Sequence, residues 1–297
     1  MKHRSSERVL RLFEDVIALQ QEDPLREGGV VCLPDYGQVV MTGDLHGFSP
    51  NLHALKHFAN LERQPHRHVV LHELIHQNGQ GLSDSAGEDN SLLLLLDALE
   101  WKLRHPEQVH FVLGNHDLAQ ITGREITKSG GASIAAFNEW IRGQYGSGAE
   151  GIAEGLIRLL LSFPLAVRCP NRLWLSHSIP GPHAMAGFDL DIFGRGWTWE
   201  DMIPGGSVYE LVWGRGHTAA HVDEFAQLLG VDFFVIGHQA QDQGFQTQFQ
   251  RMIILASDHG NGCFMPIDLS RRYEFDELTD RIRFFHQFVP PADPPTP

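Results

Sequence analysis

The chain has 297 residues, 42% of them hydrophobic, enough to fill one large α/β domain or two small ones. Its 23 basic and 37 acidic side chains give 23 − 37 = −14, so no general attraction to nucleic acid or to an anionic membrane is expected. An anionic substrate would need a locally positive site, and 18 histidines are an ample stock of metal-ligating imidazole.

Residues 1–28 are predicted as an N-terminal helix, with Leu10, Phe13, Val16 and Ile17 at helical spacing among Arg4, Glu7, Arg8, Arg11 and Glu14. That mixture is not the apolar region of a signal peptide, and the longest apolar run, 92–96, is too short to span a bilayer. Cys32, Cys169 and Cys263 are few, odd in number and without motif spacing, as in a reducing compartment. A cytoplasmic protein without membrane or nucleic-acid partners is the expectation.

Short β-branched runs at 28–32 and 38–41 flank a turn at 33–37. Ser49-Pro50 then opens a helix through Leu52, Leu55, Phe58 and Leu61. The strand–helix unit recurs: 68–71 before a helix at 91–104, and 109–113 before helices at 134–141 and 152–161. The second half is richer in strand, at 165–168, 172–175, 233–236, 252–256 and 263–267, with a helix at 222–229. Residues 179–206, which include Trp197 and Trp199, lack periodicity and read as a long ordered loop. One domain over 29–289, with two packed sheets flanked by helices, accommodates these elements, and 290–297 read as a proline-rich disordered tail.

Chemistry-bearing residues follow the predicted strands: Gly43-Asp44-Leu45-His46-Gly47, Gly114-Asn115-His116-Asp117, Ser176-His177-Ser178 and Ile236-Gly237-His238-Gln239. Strand ends in an open α/β sheet converge on one crevice, where carboxylate, imidazole and amide ligands suit Mn, Fe or Zn. The order of these motifs resembles that of the calcineurin-like metallophosphoesterases, in particular their Ser/Thr-phosphatase-like branch, whose motifs run GDxHG, GDxxDRG, GNH(D/E), an isolated His, then GH. The resemblance spans about residues 39–267.

It implies a four-layer α/β/β/α sandwich with two central mixed sheets, two divalent metal ions (Mn, Fe or Zn) and a phosphorylated small-molecule or phosphoprotein substrate. By the resemblance Asp44 and His46 would bind one ion, and Asn115, His177 and His238 the other. Where the family shows GDxxDRG, this chain reads His72-Glu73-Leu74-Ile75-His76-Gln77-Asn78. Glu73 thus falls on the bridging carboxylate, His76 on the second Asp and Gln77 on the phosphate-binding Arg. Arg215 is the candidate substitute for that Arg, with Asn115 as a second phosphate contact. His116 would be the general acid, and Asp117 and His76 complete the candidate catalytic set. A hydroxide shared by the two ions would attack phosphorus.

A second reading competes. His72-Glu73-Leu74-Ile75-His76 is an HExxH string, which on a helix would place both histidines on one face for zinc. The third histidine of the extended peptidase motif would stand at position 82, where the chain has Leu82, and the apolar run before His72 reads as a strand. A degenerate phosphoesterase that binds without turnover is a third class, motivated by the altered second motif. His259 is expected to line the pocket, and His217 and His221 to lie on the surface. His53, His57, His66, His68 and His183 are expected to have no site role.

Overall fold

In a computed structural model the chain is described over residues 4–77, 89, 91–128 and 131–288, so the predicted tail at 290–297 lies outside the described residues. The strands are β1 (Arg26–Glu27), β2 (Val30–Cys32), β3 (Gln38–Thr42), β4 (Arg67–His72), β5 (Val109–Val112), β6 (Thr127–Lys128), β7 (Gly131–Ala132), β8 (Ala166–Arg168), β9 (Leu173–Ser176), β10 (Phe233–Ile236), β11 (Phe245–Gln248), β12 (Met252–Leu255), β13 (Cys263–Asp268) and β14 (Arg283–Phe284). The helices are α1 (Ser6–Gln21), α2 (Ser49–Ala59), α3 (Ser91–Arg104), α4 (Asn115–Thr122), α5 (Ser133–Tyr145), α6 (Ala149–Leu161), α7 (Trp199–Met202), α8 (Ser207–Trp213), α9 (Ala219–Leu229) and α10 (Phe275–Thr279).

Five strands form one mixed sheet in the order β14-β13-β3-β4-β5, and seven form a second in the order β1-β2-β8-β9-β10-β12-β11. Alternation along the strands builds the layers. Val39, Met41 and Val70 share a core with Val167, Leu175, Val235 and Ile253 of the other sheet, whereas Val40, Val69 and Leu71 point the opposite way, toward α1, α3 and α6. On the far face of the larger sheet, Trp174, Phe234 and Ile254 pack against Val222, Phe225 and Ala226 of α9. The result is the expected α/β/β/α sandwich, in which central strands buried on both faces read as continuous apolar runs.

The topology then creates a crevice. β3, β4 and β5 are mutually parallel, as are β9 and β10. Their C-terminal ends deliver Asp44, Glu73, Asn115, His177 and His238 to one edge, as the strand-end rule requires. Helix α1 is part of the main core through Val9, Leu12, Phe13 and Val16. The stretch 179–206 is mostly irregular but carries short 3-10 turns and α7. Arg195 ties it together by donating to Asp189 Oδ2 at 2.7 Å and to Asp201 Oδ2 at 2.7 Å. Among the described residues no helix is long and apolar enough to cross a membrane.

Candidate metal centre

Backbone pairing fixes the loops that carry the site. After β3, Asp44 bridges to Ala256, and Ser257 N donates to Asp44 O at 3.1 Å. Gly43 must be glycine here, because a Cβ would stand 2.2 Å from Leu255 O. The loops after β3 and β4 are fastened together by Leu45 N and His46 N, which both donate to Glu73 O at 3.0 and 2.7 Å. His46, Glu73, His76 and His238 all adopt left-handed backbone angles, with φ of 41°, 51°, 61° and 67°. Each costs of order 1–3 kcal/mol in a non-glycine residue, a concentration of strain that the surrounding pairing sustains.

Two more glycines make room for carboxylates. A Cβ on Gly114 would lie 1.8 Å from Glu73 Oε1, and one on Gly237 would lie 2.3 Å from Asp44 Oδ1 and 2.4 Å from His72 Cε1. The glycines of the third and last motifs therefore serve side-chain approach as well as turning.

By mutual proximity Asp44 groups with His72 and His177, and His46 with Glu73 and His116; sorted instead by the sequence expectation, the donor atoms form two sets. In the first, His46 Nε2 is 3.9 Å from Asp44 Oδ2 and 3.6 Å from Glu73 Oε2. His46 Nδ1 is 3.0 Å from Ile75 O, so Nδ1 carries the proton and Nε2 presents its lone pair to the carboxylates. In the second, Asn115 Oδ1 is 2.8 Å from both His177 Nε2 and His238 Nδ1, which are 3.0 Å from each other. Adjacent ligands of an octahedral ion at ~2.1 Å stand roughly 3.0 Å apart, so this triangle has the size a divalent cation needs. Glu73 spans the two sets, its Oε1 lying 3.9 Å from His177 Nε2 and accepting from His116 N at 2.9 Å. Hard carboxylate and amide oxygens mixed with imidazole match Mn, Fe or Zn chemistry.

Burial favours the neutral imidazole at two of the rings. It lowers His177 well below the usual histidine range, assisted by the neighbouring His238 and His72, and lowers His72 to about 4. Asp117 is pushed up to about 7, mainly by burial and also by the Asp44 charge, while its Oδ2 accepts Gly114 N at 2.9 Å and caps α4.

The structure thus gathers Asp44, His46, Glu73, Asn115, His116, His177 and His238 within contact of one another, and Asp117 lies just beneath as a helix cap. His76 backs His116, with Nδ1 to Nδ1 at 3.1 Å, and its Nε2 meets Gln120 Oε1 at 3.0 Å. Arg215 sits at the rim, donating from Nη2 to His238 O at 3.0 Å; partial burial lowers its pKa, opposed by the Asp44 and Glu73 charges. Trp213 stands edge-on to His238 at 6.1 Å and stacks on Tyr209.

One expectation holds, one needs correction and one addition follows. The HExxH string is not helical: β4 ends at His72, and positive φ at Glu73 and His76 breaks any helix there. His221 is buried at 5% exposure, because its Nδ1 accepts Thr218 N at 2.8 Å to cap α9 and its ring lies against His217. His72 and Gln120 join this site without belonging to its motif ligands; strand alternation places His72 on the same face as Val70, opposite Leu71. His259 Nε2 lies 3.0 Å from Gln241 O.

No protein family and no curated protein matches the sequence. Solved structures do. A protein serine/threonine phosphatase from Saccharomyces cerevisiae, itself similar to a human phosphatase, superposes with a TM-score of 0.70 over 99% of this chain and 93% of that one, at 14% identity. A cold-active protein-tyrosine phosphatase from a psychrophilic Shewanella species gives 0.56, covering 90% of this chain and 84% of that one at 13% identity. The chain shares the fold of these phosphatases at 13–14% identity.

Proposed function

We propose that the chain is a metal-dependent phosphoesterase that hydrolyses a phosphate monoester on a small molecule or a phosphoprotein. The observation that carries this reading is the Glu73 carboxylate lying between His46, at 3.6 Å, and His177, at 3.9 Å, beside a triangle of Asn115, His177 and His238 donor atoms of metal-ligand size. Asp44 and His46 with Glu73 would hold one divalent cation, and Asn115, His177 and His238 with Glu73 a second. Such ions, when bound, supply positive charge for a phosphate and lower the pKa of water to near neutrality.

The chain's own residues do the rest. With one N–H on Nδ1 directed to His76, His116 would serve as general acid in its imidazolium form, whose second proton, on Nε2, passes to the leaving oxygen of the ester. His76 can accept that bond because Gln120 Oε1 takes the proton on its other nitrogen. Arg215 offers the guanidinium that a protein of charge −14 needs to draw in an anion. The free thiols of Cys32, Cys169 and Cys263 support a cytoplasmic location.

The test is hydrolysis of an activated aryl phosphate by the purified chain with Mn²⁺, beside Asp44→Asn. Turnover that falls by about 100-fold or more in the variant is expected, since loss of a direct ligand should exceed the ~10–100-fold typical of an outer partner. Uptake of metal without turnover would support the degenerate binding module, and casein cleavage without ester hydrolysis would support the peptidase.

A further inference from the structure

His72 ends β4 with its side chain fully buried against Gly237, where a Cβ would collide with its ring. Its Nε2 is 2.8 Å from Thr42 O. A backbone carbonyl can only accept, so Nε2 carries the proton and Nδ1 of the neutral ring presents a lone pair. That lone pair is 3.0 Å from His177 Nδ1, which must then be the N–H donor. A neutral imidazole holds one ring proton, so His177 Nε2 is left as a lone pair, 2.8 Å from Asn115 Oδ1 and 3.0 Å from His238 Nδ1.

The geometry points to His72 as a positioning residue that fixes the tautomer of His177 and thereby aims His177 Nε2 at the second metal-ligand set; this rests on the metal-centre reading above. The chain of proton assignments starts from a group with a single possible role and reaches the ligand triangle in two steps. A partner of this kind is what orients metal-binding histidines generally, though it is more often a carboxylate or a carbonyl.

His72 as a ligand in its own right is the competing assignment, with Asp44 Oδ1 at 3.5 Å from His72 Nδ1 and 3.6 Å from His177 Nδ1. It would turn an N–H of His177 toward Asn115 and His238, removing His177 from the second set. Asp44 Oδ1 moreover already accepts His238 N at 2.9 Å.

The same device recurs four residues on. His76 Nε2 meets Gln120 Oε1 at 3.0 Å, Gln120 Nε2 donates to Asn138 Oδ1 at 3.0 Å, and His76 Nδ1 faces His116 Nδ1 at 3.1 Å. Ring centroids are 5.3 Å apart in both pairs. Both histidines of the His72-Glu73-Leu74-Ile75-His76 string thus stand behind a working histidine, while Glu73 between them enters the centre.

Two measurements test the assignment. Long-range ¹H–¹⁵N spectra of the metal-free wild type should show His177 protonated on Nδ1; protonation on Nε2 overturns the inference whether or not any variant folds. Mn²⁺ binding by equilibrium dialysis should show two ions in the wild type. One of them should bind ~10–100-fold more weakly in His72→Leu, the usual cost of losing such a partner. His72→Asn, whose Oδ1 falls near the lost Nδ1, should stay within several-fold of wild type. Two ions held undiminished by His72→Leu overturn the inference alone, and His72→Asn falling as far as His72→Leu makes His72 a ligand and overturns it too. A wild type that takes up no Mn²⁺ defeats the metal-centre reading itself.

Discussion

Strand β4 has a buried histidine cluster at each end, and the two are built for opposite ends. At its start His68 Nδ1 is 3.1 Å from His110 Nε2, and His110 Nδ1 and Lys102 Nζ each lie 3.6 Å from Asp23 Oδ2. The carboxylate there meets a cation supplied by the chain itself, and Lys102 further donates to Pro106 O. At its other end Asp44 stands beside His72 and His177, whose rings burial favours in the neutral form. The first cluster is closed by its own ammonium and locks α1 and α3 onto the sheet; at the second the Asp44 and Glu73 charges act on the Arg215 guanidinium at the rim, and the proposed metal ions would add further positive charge. Buried histidines next to a carboxylate are therefore no signature of a site by themselves. What separates the two is whether a lysine is already there.

Charge removal breaks this comparison most strongly at the open end. In Glu73→Gln, Mn²⁺ content should fall from two per chain to one or none and aryl phosphate turnover by about 1,000-fold, about 4 kcal/mol of barrier. The metal-free variant should be no less stable in urea, because a buried carboxylate has been discharged. A Glu73→Gln chain that keeps both ions would refute the bridging role.

At the closed end the outcomes reverse. Lys102→Met leaves Asp23 buried without its ammonium partner and should cost about 3 kcal/mol in urea unfolding. Turnover per folded molecule should not change. A loss of activity larger than the loss of folded protein would show that the two clusters communicate through β4.

The smallest effect separates the clusters by pH. Burial alone would raise the pKa of Asp23, but hydrogen bonding and charge from His110, the Leu25 N–H and Lys102 hold it down, from 3.8 to about 2. A depressed carboxylate stabilises the fold above its unfolded value and loses that contribution as pH falls through the folded one. The wild type should thus lose about 2 kcal/mol between roughly pH 4 and pH 2, and Asp23→Asn should lack that part of the slope. An unchanged acid limb would mean that Asp23 does not report the cluster.

Much of the fold was legible because its signals are local. Apolar runs ending in Gly43-Asp44, Gly114-Asn115 and Gly237-His238 announce strands that deliver ligands, and the five-leucine run at 92–96 marks a helix whose core face lies in α3. The elements that escaped have no such signal. β11 is an edge strand with Gln246 and Thr247 exposed, and β14 and α10 are short pieces held by their neighbours.

The sequence by itself determined which residue types stand at the strand ends and in what order, because that depends only on strand periodicity and chain direction. The tertiary structure decided what they do. The local apolar run already marks His72 as a strand end, but where Glu73 then stands depends on β4 pairing with β3 and β5, which no local propensity encodes. Which nitrogen of His177 carries a proton depends on His72, 105 residues away in sequence, and through it on Thr42 O. Hydrogen-bond roles are settled by the partner, and only the folded chain supplies the partner.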